Sequence, residues 1–162
     1  MIAILHNIRS LYNVGSIFRT ADAAGVEKLY LCGITPAPVD IFGKPRPQLT
    51  KVSLGAEKYV KWDASARSAR ATLKSLENLK KQGYKIFAVE QSKKSISYYK
   101  LKTTNYKQKN KTALILGNEI KGLPPSILKR ADKILEIPMR GKKESLNVSV
   151  AFGIVIFRLI NS

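Results

Sequence analysis

The sequence is short of the groups that much protein chemistry depends on. One cysteine, Cys32, excludes an internal disulfide framework, and one histidine, His6, leaves little from which to build a transition-metal site. Cys32 lies in the apolar run LYLCG and reads as a core strand residue rather than a nucleophile. His6 has no evident serine or cysteine partner for nucleophilic catalysis and reads as structural or surface. No apolar run reaches the roughly 18 residues of a membrane span, and no strongly basic amphipathic helix is evident, so membrane association is disfavoured. The opening MIAILHN is too short for the apolar region of a secretory signal and runs directly into patterned sequence; a cytoplasmic location is expected. Acids are scarce as well, 11 Asp and Glu against 29 Lys and Arg, for a formal charge of +18 over 162 residues. Hydrolysis by paired carboxylates is therefore a weak reading. A polyanion is the natural partner, because each phosphate neutralised by Lys or Arg releases a condensed counterion. The usual nucleotide signatures are also missing. GNEIKGLP, residues 117–124, has Leu123 and Pro124 where a P-loop needs Lys and Ser or Thr, and no GxGxxG follows a strand.

What is present is the pattern of an α/β domain. A hydrophobic content of 44% and a length of 162 residues suit one domain with a real core. MIAIL (1–5) reads as a buried strand and HNIRS as a polar turn. A helix is expected from residue 13, capped by Asn13 or Ser16, with Ile17, Ala21 and Ala24 at helical spacing and Gly25 at its end. KLYLCG (28–33) is the next strand, completing a parallel βαβ unit. Residues 34–48, with Pro36, Pro38, Pro45 and Pro47, read as a loop. A helix over 65–82 and a strand at YKIFAVE (84–90) follow. The stretch 92–111 carries seven lysines and no acid, with Tyr98, Tyr99 and Tyr106 interleaved, and reads as a loop or edge. TALILG (112–117) is an apolar strand, LPPSILKRA a helix whose first turn tolerates proline, and KILEIP (133–138) the last strand. The terminal helix, residues 147–159, is apolar on nearly every side, which predicts a subunit interface against it.

In an open parallel sheet, ligands bind beyond the carboxyl ends of the strands. Here those ends carry VEQS, GNEIKG and IPMRGKKESLN, and the helix entry NVGSIFRT sends Arg19 into small, apolar surroundings. Gly117, Gly122 and Gly141 permit close backbone approach to a flat heterocycle. Together NVGSIFRTADAAGV (13–26), LILGNEIKGLP (114–124) and IPMRGKKESLNVSVAFGIVIF (137–157), in that order, resemble the three motifs of the SpoU-type, or TrmH-like, branch of the SPOUT RNA methyltransferases. The resemblance runs from residue 1 to about residue 159.

The resemblance implies an α/β, parallel-sheet SPOUT fold whose C-terminal part is tied into a deep trefoil knot, acting as a homodimer, here as a single domain over residues 1–162 without extension domains. It implies S-adenosylmethionine as cofactor, no metal, and cofactor contacts at Val89, Glu90, Leu116, Gly117, Gly122, Ile137, Met139, Ser145 and Leu146. The implied activity is methylation of a ribose 2′-hydroxyl of tRNA or rRNA, with Arg19 as the central catalytic residue, Asn13 beside it, and Glu119, Ser145 and Asn147 as anchoring or positioning groups. A guanidinium is effectively never deprotonated. Arg19 is therefore expected to bind the phosphate next to the target ribose, orient the hydroxyl and stabilise developing alkoxide, rather than act as a base. Asn147 also reads as a helix cap and Glu119 as a loop salt-bridge partner. RNA contacts are expected from Arg9, Arg19, Lys44, Arg46, Lys142 and Lys143, and from the Lys–Tyr stretch 93–111. An RNA-binding protein without turnover and a methyltransferase acting on a base nitrogen are the competing readings; the small size tilts the substrate towards tRNA.

Overall fold

The computed structural model describes residues 1–101 and 111–161. Seven strands form one sheet in the order β3-β2-β1-β6-β4-β7-β5, every described pair parallel. The strands are β1 (Ile2–His6), β2 (Lys28–Cys32), β3 (Lys61–Asp63), β4 (Lys85–Val89), β5 (Ile96–Ser97), β6 (Thr112–Leu116) and β7 (Lys133–Glu136). The helices are α1 (Leu11–Ala23), α2 (Pro47–Ser53), α3 (Ala69–Lys81), α4 (Pro125–Leu128) and α5 (Val148–Ile160). The central strands β1 and β6 are buried at every position, as runs of continuous apolar residues in a parallel sheet require when both faces are covered. Alternation then divides them between two cores. Ala3, Leu5, Phe87, Leu114 and Leu116 face α1 and α5, whereas Ile2, Ile4, Ile86, Ala88, Ala113 and Ile115 face α3 and the short α4.

Helix α1 begins two residues before the position expected from sequence. Ser10, in an extended conformation, is the cap, its hydroxyl accepting from the Asn13 backbone N–H at 3.2 Å. Neither Asn13 nor Ser16 is the cap, and the Asn13 side chain is free to bond elsewhere. Gly15 lets α1 lie directly on α2, since a Cβ there would stand 2.6 Å from the Leu49 carbonyl oxygen. The proline-rich loop ends earlier than its composition suggests: Pro47 opens α2, at a position where its missing N–H has no helical partner to lose.

LPPSILKRA forms only four helical residues. Asp132 draws the chain out of the helix, donating its N–H to the Ile86 carbonyl at 2.8 Å and accepting the Ile86 N–H on its carboxylate at 2.7 Å. Of the stretch 92–111, residues 96–97 form the edge strand β5 on β7, and Tyr98 packs part-buried against the core. Residues 102–110, with Lys102, Tyr106, Lys107 and Lys109, lie outside the described residues, so the expectation for them stays with the sequence. Helix α5 is not buried all round within one chain. Val148, Phe152, Val155, Ile156 and Leu159 face the core, while Val150 and Phe157 are 49% and 40% exposed.

Candidate functional site

Because the strands run one way, their carboxyl ends share one edge of the sheet, and the loops leaving β4, β6 and β7 meet there. They enclose a cleft of about 320 Å³. Val89, Leu116, Leu135, Ile137, Leu146 and Val148 supply apolar wall, and Glu90, Glu119, Glu136 and Glu144 supply carboxylates. Four of the chain's 11 acids thus surround one cavity in a protein of charge +18. Among the described residues no Lys or Arg pairs with any of them. A negative pocket in a positive surface favours a cation of limited size, while the outside attracts a polyanion.

The cleft is held by backbone contacts that only glycine allows. A Cβ on Gly117 would stand 2.6 Å from the Gly122 carbonyl carbon and 2.7 Å from the Leu123 nitrogen. Gly122 has φ +63, and a Cβ there would meet the Glu90 carboxylate. That carboxylate accepts the Leu123 N–H at 2.7 Å and the Gln91 N–H at 3.0 Å, tying the end of β4 to the loop after β6. Glu136 accepts the Ser95 hydroxyl at 2.5 Å, and Gln91 donates its amide to the Glu144 carbonyl at 2.5 Å. Carboxylates and glycines therefore build the walls before any ligand arrives.

At the cleft mouth three distant segments are joined through side chains. Asn13 of α1 donates Nδ2–H to Glu119 Oε1 at 3.0 Å, and Asn147 donates Nδ2–H to Asn13 Oδ1 at 3.0 Å. Asn147 Oδ1 also accepts the Ser149 N–H at 2.8 Å, so the same residue caps α5 and reaches the network. The Arg9 backbone N–H lies 3.5 Å from Glu119 Oε2. Asn13 is thereby oriented with its donor on the carboxylate and its acceptor on Asn147.

Of the residues singled out from sequence, Val89, Glu90, Leu116, Gly117, Gly122, Ile137, Met139, Ser145 and Leu146 all line the cleft, together with Glu119. Arg19 does not. It is exposed on α1, six residues beyond Asn13, which on an ideal helix is about 9 Å along the axis and about 120° around it. The two residues thus leave α1 on different faces. Lys142 and Lys143 are exposed in the loop that also carries Ser145, and Lys44 and Arg46 belong to a hairpin following β2. Gln91, Asn118, Ile120 and Glu144, in the strand-end loops that the sequence pointed to, line the cleft too, whereas sequence reasoning missed Leu135, Glu136, Val148 and Ala151. These lie within β7 and α5, where their types read only as strand and helix residues.

His6 is buried, which lowers its pKa; its Nε2 lies 3.0 Å from the Asn7 amide nitrogen, and Nδ1 is buried with no hydrogen-bond partner among the described residues. Burial pushes the Cys32 thiol up to about 11. Neither residue lines the cleft. Among the described residues no group of three or more His, Cys, Asp or Glu could hold a metal ion, and no helix is long and apolar enough to cross a membrane.

Residues 1–157 match the model of the SpoU rRNA Methylase family. A tRNA (guanosine(18)-2′-O)-methyltransferase of Aquifex aeolicus is 32% identical over 157 residues, which are 97% of this chain and 67% of that protein. The chain spans 58–62% of the length of other curated relatives. The crystal structure of the A. aeolicus TrmH/SpoU tRNA modifying enzyme superposes with a TM-score of 0.80 at 31% identity, covering 99% of this chain and 73% of that one. A solved structure concerned with 2-OH methylation of C/U34 on tRNA has a TM-score of 0.73 at 26% identity, covering 97% of this chain and 91% of that one. Shared sequence along nearly the whole chain, a shared sheet and the junction of three motifs at one cleft have a single explanation: this chain belongs to the SpoU rRNA methylase family.

Proposed function

We propose that the chain transfers a methyl group from S-adenosylmethionine to a ribose 2′-hydroxyl of RNA. The observation that carries this reading is the Glu119–Asn13–Asn147 network at the mouth of a cleft lined by four carboxylates that no Lys or Arg of the described residues pairs with. S-adenosylmethionine fits the lining on chemistry. Its adenine suits the apolar walls, its cationic groups suit the carboxylates, and the glycine turns bring backbone donors and acceptors within reach. The bound cofactor supplies an electrophilic methyl on a sulfonium.

The protein's part is to present a sugar oxygen and to ease the loss of its proton. Val89, Glu90, Leu116, Gly117, Gly122, Ile137, Met139, Ser145 and Leu146 form the cofactor-binding set, and Asn13, Glu119, Ser145 and Asn147 position the acceptor beside it. Glu119 Oε1 already accepts from Asn13, so the carboxylate acts first to fix that amide. Arg19 binds the phosphate adjoining the target ribose and stabilises alkoxide character, a role for its permanent charge and fork rather than for a base, and the hydroxyl proton leaves to that phosphate or to water.

Its exposure on α1, away from its own chain's cleft, fits a homodimer. The apolar Val150 and Phe157 of α5, left half-exposed by one chain, and the packing of α1 against α5 support a pairing face built from these two helices. A C-terminal trefoil knot, one methyltransferase domain over residues 1–162 and a cytoplasmic location complete the reading. For the knot, the support is the strand order, in which β6 inserts between β1 and β4 while β7 returns beyond β4. For the RNA, Arg9, Lys44, Arg46, Lys142 and Lys143 supply phosphate contacts. tRNA is favoured over rRNA because a structure concerned with tRNA is covered over 91% of its length.

Calorimetric titration with S-adenosylmethionine, then mass spectrometry of nucleosides from RNA treated with the purified protein, tests the assignment. A 2′-O-methylnucleoside that disappears with Arg19→Ala supports it. A methylated base, or absence of cofactor binding, removes it. Mixing Arg19→Ala and Glu119→Gln chains asks whether the sites are shared between copies: recovered activity requires that they are.

A further inference from the structure

A second cleft, of about 500 Å³, lies on the same edge of the sheet over the ends of β2, β1 and β6. It shares Asn118, Ile120 and Gly122 with the first, so the GNEIKG turn is a partition between the two. We propose that this second cleft is a subsite for the RNA strand next to the target nucleotide: Arg9 and Lys121 take a phosphodiester of that strand, and a neighbouring base rests on Ile34 and Ile120. The proposal rests on the methyl-transfer reading and leaves the acceptor ribose with Asn13, Glu119 and Asn147 at the mouth of the first cleft.

The two cavities differ in sign. The first holds four carboxylates and no Lys or Arg, whereas the second holds Arg9 and Lys121 and no acid. Both cations are exposed, and neither side chain has a carboxylate partner among the described residues. Glu119 is the nearest candidate in sequence, two residues from Lys121, yet it turns to Asn13 and takes from Arg9 only the backbone N–H. The turn therefore keeps its one acid away from the cations that flank it. A pair of free cations in a concave site favours an anion, because little desolvation of existing partners is required.

The walls are fixed without a ligand. Asn118 Oδ1 accepts the N–H groups of Ile120 and Lys121 at 2.9 and 3.0 Å, and its amide donates to the Asn7 carbonyl at 2.8 Å. Asn7, itself at φ +58, accepts the Ile34 N–H at 3.1 Å, and a Cβ on Gly33 would fall 1.9 Å from that Asn7 oxygen. Both amides are thus spent on shape, which leaves the cations and the apolar rims to meet a ligand. Ile34 and Ile120 are 62% and 84% exposed, apolar surface held out on rigid turns where a base face could cover it.

The test is the salt dependence of RNA binding, measured by fluorescence anisotropy with unmodified tRNA transcripts in one arm and protein-free 23S rRNA fragments in the other. The comparison is between wild type, Arg9→Ala/Lys121→Ala and the charge-matched control Lys58→Ala/Lys61→Ala, two exposed lysines at the opposite end of the sheet. Each lost phosphate contact lowers the slope of log K against log salt by about 0.7 to 0.9. The subsite double variant is expected to bind at least about tenfold more weakly at 100 mM salt with a slope shallower by about 1.4 to 1.8, and the control to change less than half as much. The arm with the larger difference identifies the RNA source. Single Arg9→Gln and Lys121→Gln variants, each expected to remove about half the slope change, guard against misfolding of the double variant. Equal losses in the subsite and control variants overturn the proposal, as does wild-type protein that binds neither RNA. Cofactor titration on the same samples separates the two levels. Unchanged cofactor affinity with unchanged RNA binding sinks the subsite alone, and absence of cofactor binding by wild type sinks the methyl-transfer reading.

Discussion

Replacing Gly117 by alanine adds one methyl group to a closely packed wall of the cleft. The new carbon would lie 2.6 Å from the Gly122 carbonyl carbon, 2.7 Å from its oxygen and 2.7 Å from the Leu123 nitrogen. All three are backbone atoms, so no side-chain rotation relieves the contact. Ordinary carbon contacts lie near 3.5 Å, which requires the turn to move by about 0.8 Å. Overpacking of this kind costs about 1–3 kcal/mol. Movement of Leu123 also stretches its 2.7 Å bond to Glu90, worth about another 1 kcal/mol. For a chain of this length each kcal/mol lowers the melting temperature by about 2–4 °C, so a fall of about 4–16 °C is expected. Because Gly117 and Gly122 both line the cleft, calorimetry should show at least a tenfold loss of affinity for S-adenosylmethionine. Gly141→Ala is the control: its Cβ would meet nothing within 4 Å, and both quantities should stay within about 0.5 kcal/mol of wild type. A Gly117→Ala protein that melts and binds as wild type does would show that this turn is not a rigid wall.

Three further outcomes follow from the geometry. Asn13→Asp replaces the donor to Glu119 with a second carboxylate; discounting for exposure, a loss of about 1.4 kcal/mol, or tenfold in kcat/KM, is expected. A kcat/KM equal to that of wild type would refute the carboxylate contact. His6, its pKa lowered by burial, binds a proton more readily unfolded than folded, so stability is full above about pH 6.5 and falls as pH drops from there towards the lowered folded value. Urea unfolding should show that loss, at up to about 1.4 kcal/mol per pH unit, and His6→Gln should remove this part of the slope whatever its effect on absolute stability. Cys32, buried and with its thiol pushed up to about 11, should resist a disulfide-exchange reagent at pH 8 until the protein unfolds; rapid labelling of the native protein would contradict its place in β2.

Much of the scaffold was legible because local rules decide it. MIAIL and TALIL are apolar at every position, and only strands covered on both faces accommodate that in so few residues. The glycines of GNEIKG and the odd loops after strands marked the cleft, since a parallel sheet collects its loop ends on one edge. Element ends were less legible where a distant group sets them: Asp132 stops α4 by bonding to β4, a contact across 46 residues.

The linear order of residues determined five of the seven described strands, the basic surface and the motif residues that line the cleft, because each depends on neighbours in the chain or on summed charge; β3 and β5 are too short to carry a pattern. It did not determine which side chains meet. That Asn13 bonds Glu119 and Asn147, residues 106 and 134 positions away, is a consequence of sheet order, and sheet order comes from packing two cores at once. The same packing leaves Arg19 exposed on α1 and outside the cleft that Asn13 borders through Glu119. A helix fixes the angle between two side chains, but the layers around it decide what each one faces.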